Sequence, residues 1–296
     1  MTAMYNSTDV HSNLSDFSLP CWLPSFLEHD LSATFEIMRQ AVSYNLRNTP
    51  ERNRKYLGTY FPRSFTEILT VGDSIVAQCP SVVEHFRNCE TVRILSVGSG
   101  TGGDTAGAVE FLHRLNPAAG FEIHLVDGNW DALDKCVKIL DRQAQEEELR
   151  MRRDFCCRSV AKPADFGNIA ASHSSLDLII TSKFLNELVL SMHRPYFNFV
   201  TAFAGCLRAG GVMLLTDVLC KLSDRYGNSC GEYIPYTMNR ELDQYLSSPA
   251  SLLKGLLPCS CSWCHSHPGA GCYKTRTANK YASNSKDFTY RLLQRI

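Results

Sequence analysis

Arg93-Ile94-Leu95-Ser96-Val97 runs straight into Gly98-Ser99-Gly100-Thr101-Gly102-Gly103-Asp104, and this junction decides the fold. Val92, Ile94, Leu95 and Val97 make a short apolar run, mostly β-branched, which predicts a buried strand. Gly98, Gly100 and Gly102 are spaced G-x-G-x-G. Glycines so placed permit a tight turn and let a ligand approach the backbone. Ala106, Val109, Phe111, Leu112 and Leu115 then follow as the apolar positions of a helix. A helix that starts behind a glycine turn offers free N–H groups and a partial positive charge to whatever lies there. The same pattern also occurs as a plain structural loop.

Working outward, Phe121-Glu122-Ile123-His124-Leu125-Val126 alternates as a strand and ends in Asp127. Gly102 and Asp127 stand 25 positions apart, against about 20 for an acid that takes a ribose hydroxyl pair. Strand, glycine turn, helix, strand and acid together predict an adenosine-type cofactor at the carboxyl ends of parallel strands. From residue 90 strand and helix patterns alternate, with strands expected over 152–160, 177–182 and, after a Gly210-Gly211 turn, 212–218. That alternation predicts an α/β fold with a doubly wound, mostly parallel sheet. Upstream, residues 28–48, a stretch opened by Pro50, and 64–78 read as helices. The expected division is an N-terminal helical cap over 1–89 and a Rossmann-like domain over 90–296. Tyr44, Tyr56, Tyr60, Arg54 and Arg63 of the cap either face the pocket or serve as ordinary packing and surface charge.

Segment by segment, the chain resembles the class I S-adenosylmethionine-dependent methyltransferases. Val97–Gly103 resembles their first motif and Asp127 their ribose acid. Asp177-Leu178-Ile179-Ile180-Thr181-Ser182 is similar to their fourth strand, and 208–215 to the turn and fifth strand. The likeness spans about residues 90–220 and implies a seven-stranded sheet with S-adenosyl-L-methionine as cofactor. It implies further that Gly98, Ser99, Gly100, Gly102, Asp127 and Ser182 hold cofactor, and that Lys183, Asn186 and Glu187 meet the acceptor. Asn186 equally reads as a helix cap. The family also places an acid near the adenine after the third strand, where Asp165 and Asp154 both stand open. The Asn/Asp-Pro-Pro-Tyr/Phe sequence of enzymes that methylate exocyclic base amines is missing at 181–188. A nicotinamide-dependent enzyme is the other reading of the loop, against which the G-x-G-x-G spacing counts.

The whole chain of 296 residues has no net charge, so nothing pulls it globally to nucleic acid or membrane. Residues 254–296 carry seven Lys and Arg against Asp287 alone. That basic end reads either as an RNA contact or as a solvated tail. No apolar run spans a bilayer and no export signal is evident, so the expected location is cytoplasmic, with reduced thiols. Of thirteen cysteines, Cys259, Cys261, Cys264 and Cys272 crowd beside His265 and His267. Thiolates at this density are candidate ligands for zinc or an iron–sulfur cluster, the alternative being reduced structural cysteines.

A second resemblance is to the methyltransferase-like proteins of small ribosomal subunit assembly. It rests on Leu185-Asn186-Glu187-Leu188, on Trp263-Cys264-His265 within the cysteine-rich segment, and on Lys286-Asp287-Phe288-Thr289-Tyr290. That family's cysteines are more widely spaced, and 217–236 does not follow its pattern. Two functions therefore stand side by side. One is methyl transfer from S-adenosylmethionine to an unidentified acceptor. The other is a cofactor-binding module for RNA or ribosome assembly with a metal at its C-terminal end.

Overall fold

The computed structural model describes residues 16–17, 19–34, 49–219, 221–223, 229–257, 274–279 and 282–296. Near the N-terminus a helical turn at Trp22–Ser25 widens into a second at Phe26–Asp30 and stops there, with Ser32 at a φ of 55°. The helix expected over 28–48 is thus broken at its start, because a positive φ cannot continue a right-handed helix. Its remainder, 35–48 with Tyr44, lies outside the described residues. Helix α1 (Pro50–Thr59) opens as its sequence predicts: the Thr49 hydroxyl accepts the Arg52 N–H at 3.3 Å, and Pro50 takes the first-turn place that needs no donor. α2 (Phe61–Gln78) and α3 (Pro80–Arg87) follow, each opening on or beside a proline.

The alternation then begins: β1 (Thr91–Val97), α4 (Gly103–Leu115), β2 (Gly120–Asp127), α5 (Trp130–Glu146), β3 (Met151–Cys157), α6 (Pro163–Ala170) and β4 (Leu176–Ser182). It continues with the short α7 (Leu185–Leu188), α8 (Pro195–Phe203), β5 (Leu207–Val218), α9 (Ile234–Leu246), β6 (Leu253–Leu257) and β7 (Ala282–Arg295). Side by side, the strands run β3-β2-β1-β4-β5-β7-β6. β1 to β5 are mutually parallel, and β7 lies antiparallel between β5 and β6. Asp16–Phe17 and Lys274–Asn279 extend the sheet from the first half of β7.

Helices cover both faces, which is why the central strands carry continuous buried apolar runs such as Ile94-Leu95, Leu178-Ile179-Ile180 and Val212-Met213-Leu214-Leu215. β1 sends Val92 and Ile94 to one core and Leu95 and Val97 to the other; β5 divides Val212 and Leu214 from Met213 and Leu215 in the same way. The first core also holds Phe61, Phe65 and Ile68 of α2, so the N-terminal helices and the sheet share one interior. α2 crosses α4 at very short range. A Cβ added to Gly103 would lie 2.5 Å from the Phe61 carbonyl oxygen, and one added to Gly107 would lie 2.6 Å from that of Phe65. Among the described residues no helix is long and apolar enough to cross a membrane.

Two local expectations change. Gly210-Gly211 lies inside β5 and not in a turn before it; the register against β4 shifts between Leu176 and Leu178 there. The third strand ends at Cys157, short of the expected Val160, and the Arg158 N–H makes the last bond to β2, donating to the Asp127 carbonyl at 2.8 Å.

Candidate active site

The chain crosses the sheet between β3 and β4, leaving a crevice beyond the carboxyl ends of the adjacent strands β1 and β4. The glycine loop fills its floor. Gly98 and Ser99 both donate their N–H to the Val126 carbonyl, at 2.8 and 3.2 Å, which ties the loop to β2. Gly98, with φ +72°, lies under the Phe184 ring, whose Cγ would be 2.3 Å from an added Cβ. Gly100, with φ +51°, has no atom within 4 Å of that position: its open side is the cleft. Gly102 is different. It is the N-cap of α4, at a φ of +83°, and abuts Cys136, whose Sγ would be 2.3 Å from a Cβ, so packing requires this glycine. Asp127, at the end of β2, accepts the Gly100 N–H on Oδ2 at 2.8 Å and the Asn129 N–H on Oδ1 at 2.7 Å. The carboxylate keeps lone-pair capacity for a ligand. Burial pushes the Asp127 carboxyl up, while the N–H groups of Asn129, Gly100 and Gly128 pull it down.

The cleft is open to solvent and leaves a cavity of about 60 Å³. Gly98, Gly100, Asp127, Ser182, Lys183 and Glu187 line it, with Arg158 and Val160 beyond β3 and Phe184 over the loop. α1 closes the other side with Asn53 and Tyr56. Buried Asn53 fastens α1 to the start of α5, donating to Asp131 Oδ2 at 2.7 Å and Asn129 Oδ1 at 3.3 Å. The Tyr56 hydroxyl is raised well above its ordinary value, first by burial and then by Glu187, so it faces the site as a proton donor.

The order β3-β2-β1-β4-β5-β7-β6 with β7 reversed, a glycine turn at the switch point and an acid ending the neighbouring strand specify one architecture. The fold is that of the class I S-adenosylmethionine-dependent methyltransferases. By sequence the chain matches no protein-family model and no curated protein. Among solved structures it is similar to a SAM-dependent methyltransferase from Methanosarcina mazei, with 12% identity and a TM-score of 0.44 over 72% of this chain and 97% of that one. It is also similar to an rRNA methylase from Streptococcus thermophilus, with 12% identity and a TM-score of 0.39 over 73% and 93% of the two chains. TrmN from Thermus thermophilus gives 12% identity and 0.40 over 78% and 52%. Likenesses this distant add no weight of their own; the methyltransferase fold follows from the strand order.

Within this fold the residues expected at the acceptor end separate. Glu187 lines the cleft near Tyr56. Lys183, held at a φ of 54°, points its Nζ to Glu67 Oε2 at 2.5 Å and donates to Ser64 Oγ at 3.3 Å, so it is committed to α2. A non-glycine residue in that conformation stores about 1–3 kcal/mol and persists because its surroundings hold it. Asn186 is buried inside α7 and does not cap it; Phe184 takes the cap position. Asn186 Oδ1 has no hydrogen-bond partner among the described residues. Ser182 accepts the Thr216 hydroxyl at 2.8 Å and lines the cleft. Ser99 Oγ and Asp104 Oδ2, buried behind the loop, lack partners among the described residues. Burial raises the Asp104 carboxyl to about 7 despite the Thr105 N–H and nearby Lys183.

Neither acid considered for the adenine end reaches the cleft. Asp165 caps α6 through the Ala161 and Lys162 N–H groups, at 2.9 and 3.0 Å, and Asp154 lies 2.7 Å from His124 Nδ1. Arg158 and Val160 stand there instead. Asn53, Phe184 and Arg158 carried no motif signal. Cys259, Cys261, Cys264 and Cys272 lie outside the described residues.

Asp217 is buried at the end of β5. It accepts the Tyr196 hydroxyl at 2.7 Å and its neighbour's N–H, from Val218, at 2.7 Å. Burial lifts its carboxyl from 3.8 to about 7 against these donors. Between those pH values the folded protein retains a proton that the unfolded chain has lost, so stability falls as pH rises through the window. Asp217→Asn should therefore exceed the parent in stability at pH 8 by about 1–3 kcal/mol, with the gap closing by pH 4. Urea midpoints across this pH range check it; parallel curves would mean that Asp217 is ionised when folded.

Proposed function

We propose that the protein is a methyltransferase that uses S-adenosylmethionine and transfers its methyl group to an acceptor reached through the cleft. The observation that carries this reading is the Gly100–Asp127 pair: a loop glycine with open space where a Cβ would stand, joined to a half-buried acid whose carboxylate retains lone-pair capacity. These residues fit the adenosine end of such a cofactor. When bound, the cofactor supplies an electrophilic methyl group on a sulfonium. Asp127 and the glycine loop fix its orientation, so that the acceptor meets the methyl group in line. α1, through Asn53 and Tyr56, covers the cleft and excludes water. Glu187 is the group placed to take a proton from a protonated acceptor. Lys183 positions the end of β4 through Glu67 and needs no direct part in the chemistry.

A second reading is favoured by the charge of residues 254–296: the fold binds cofactor and serves RNA or ribosome assembly through its basic end. Incubation with methyl-labelled S-adenosylmethionine and fractionated cell extract separates the two. Label entering one class of small molecule, RNA or protein, and lost in Glu187→Gln, supports transfer. Label entering none, with cofactor still bound, leaves the binding reading.

A further inference from the structure

At the opposite end of the sheet from the cleft, three donors from separate elements meet. His85 lies on α3, Cys89 four residues on in the loop before β1, and Asp177 at the start of β4. His85 Nε2 is 3.0 Å from Asp177 Oδ1, Cys89 Sγ is 3.7 Å from the same oxygen, and all three ligand atoms fall within 4.8 Å of one another. Cys89 and Asp177 are buried. The Arg93 N–H holds Asp177 Oδ2 at 2.9 Å, which fixes the carboxylate with Oδ1 facing the cluster. Nitrogen, sulfur and oxygen donors converging at these separations match a tetrahedral zinc site with a fourth, open position.

Arg208 now supplies the positive charge at this point. One guanidinium nitrogen lies 2.8 Å from Cys89 Sγ and also contacts Asp177 Oδ1. The fit is poor: Arg208 Nε is buried with no hydrogen-bond partner among the described residues, while the side chain as a whole is 40% exposed. Arg208 can thus swing into water without burying an unpaired charge. We infer that His85, Cys89 and Asp177 form a binding site for a zinc-like divalent cation, with Arg208 as the group the ion displaces and water completing the coordination. The Cys89 thiol proton leaves to solvent as the thiolate binds, so affinity falls with falling pH. The site pins α3 to the starts of β1 and β4 and takes no part in the cleft.

The test is a Zn²⁺ titration against a chromophoric chelator, in a Cys259→Ser/Cys261→Ser/Cys264→Ser/Cys272→Ser background that removes the C-terminal thiols. One equivalent should bind. Cys89→Ser and His85→Gln should each weaken it by about 10–100-fold or more, and Arg208→Ala should tighten it, since a competing cation is gone. No bound equivalent, or an affinity unchanged by Cys89→Ser and His85→Gln, overturns the site; so does an Arg208→Ala variant that binds more weakly. If the fourfold variant does not fold, Co²⁺ spectra of the parent and Cys89→Ser decide. A loss of thiolate-to-cobalt absorption in Cys89→Ser supports the site, and identical spectra overturn it.

Discussion

Gly107→Val is expected to destabilise the protein by about 3 kcal/mol or more, the upper part of the range for overpacked cores. A Cβ at this position meets the Phe65 carbonyl oxygen at 2.6 Å and the Phe65 Cα at 3.1 Å. Both are backbone atoms inside α2, which no rotamer change can move aside. The whole helix must shift, and α2 carries Phe61, Phe65 and Ile68 into the core as well as Glu67, the partner of Lys183. Valine gains at most about 1 kcal/mol over glycine in helix propensity, which the clash outweighs. Gly167→Ala is the control: nothing lies within 4 Å of its added Cβ, on helix α6. That variant should be neutral or gain about 0.5–1 kcal/mol. Urea midpoints for the pair read the difference directly. Equal midpoints would mean that α2 does not depend on its close approach to α4.

The second large effect concerns cofactor. Asp127→Ala should weaken S-adenosylhomocysteine binding at least tenfold, and about a hundredfold if both ribose hydrogen bonds are lost, since charge-assisted bonds contribute about 1.5–3 kcal/mol each. The same change leaves the Gly100 and Asn129 N–H groups without their acceptor, so the loop loses its anchor as well. Asp127→Asn separates these contributions: it keeps an acceptor for a loop N–H but not the charge. It should recover most of the lost stability and little of the lost affinity. Calorimetry with all three proteins gives the affinities, and unchanged binding in Asp127→Ala would move the ribose site elsewhere.

The parts of this molecule legible in sequence are those built within a short window. The β1 run, the glycine turn and the Thr49-Pro50 helix start each depend on a few neighbours, and the strand–helix alternation from residue 90 fixed the sheet type. Whatever depends on a partner far along the chain was hidden. Gly102 reads as part of a ligand loop until Cys136 is seen against it, and Gly103 and Gly107 carry no signal of α2. Lys183 reads as an acceptor contact because Ser64, 119 positions away, and Glu67 beside it cannot be paired with it from spacing. Asn53 meets Asp131 across 78 positions. Asn186 has the residue type of a cap, but α7 begins two residues too early for that role. Asp165, by contrast, does locally what its residue type does best, and caps α6.

The central claim is that the Gly100–Asp127 cleft holds an S-adenosyl cofactor. Isothermal titration of the folded protein with S-adenosylhomocysteine tests it most directly, with NAD as the comparison. One site, with a Kd on the order of micromolar (roughly −8 kcal/mol) and no heat with NAD, is the predicted result. No S-adenosylhomocysteine binding up to about 1 mM (roughly −4 kcal/mol), or saturable binding of NAD in its place, would contradict it.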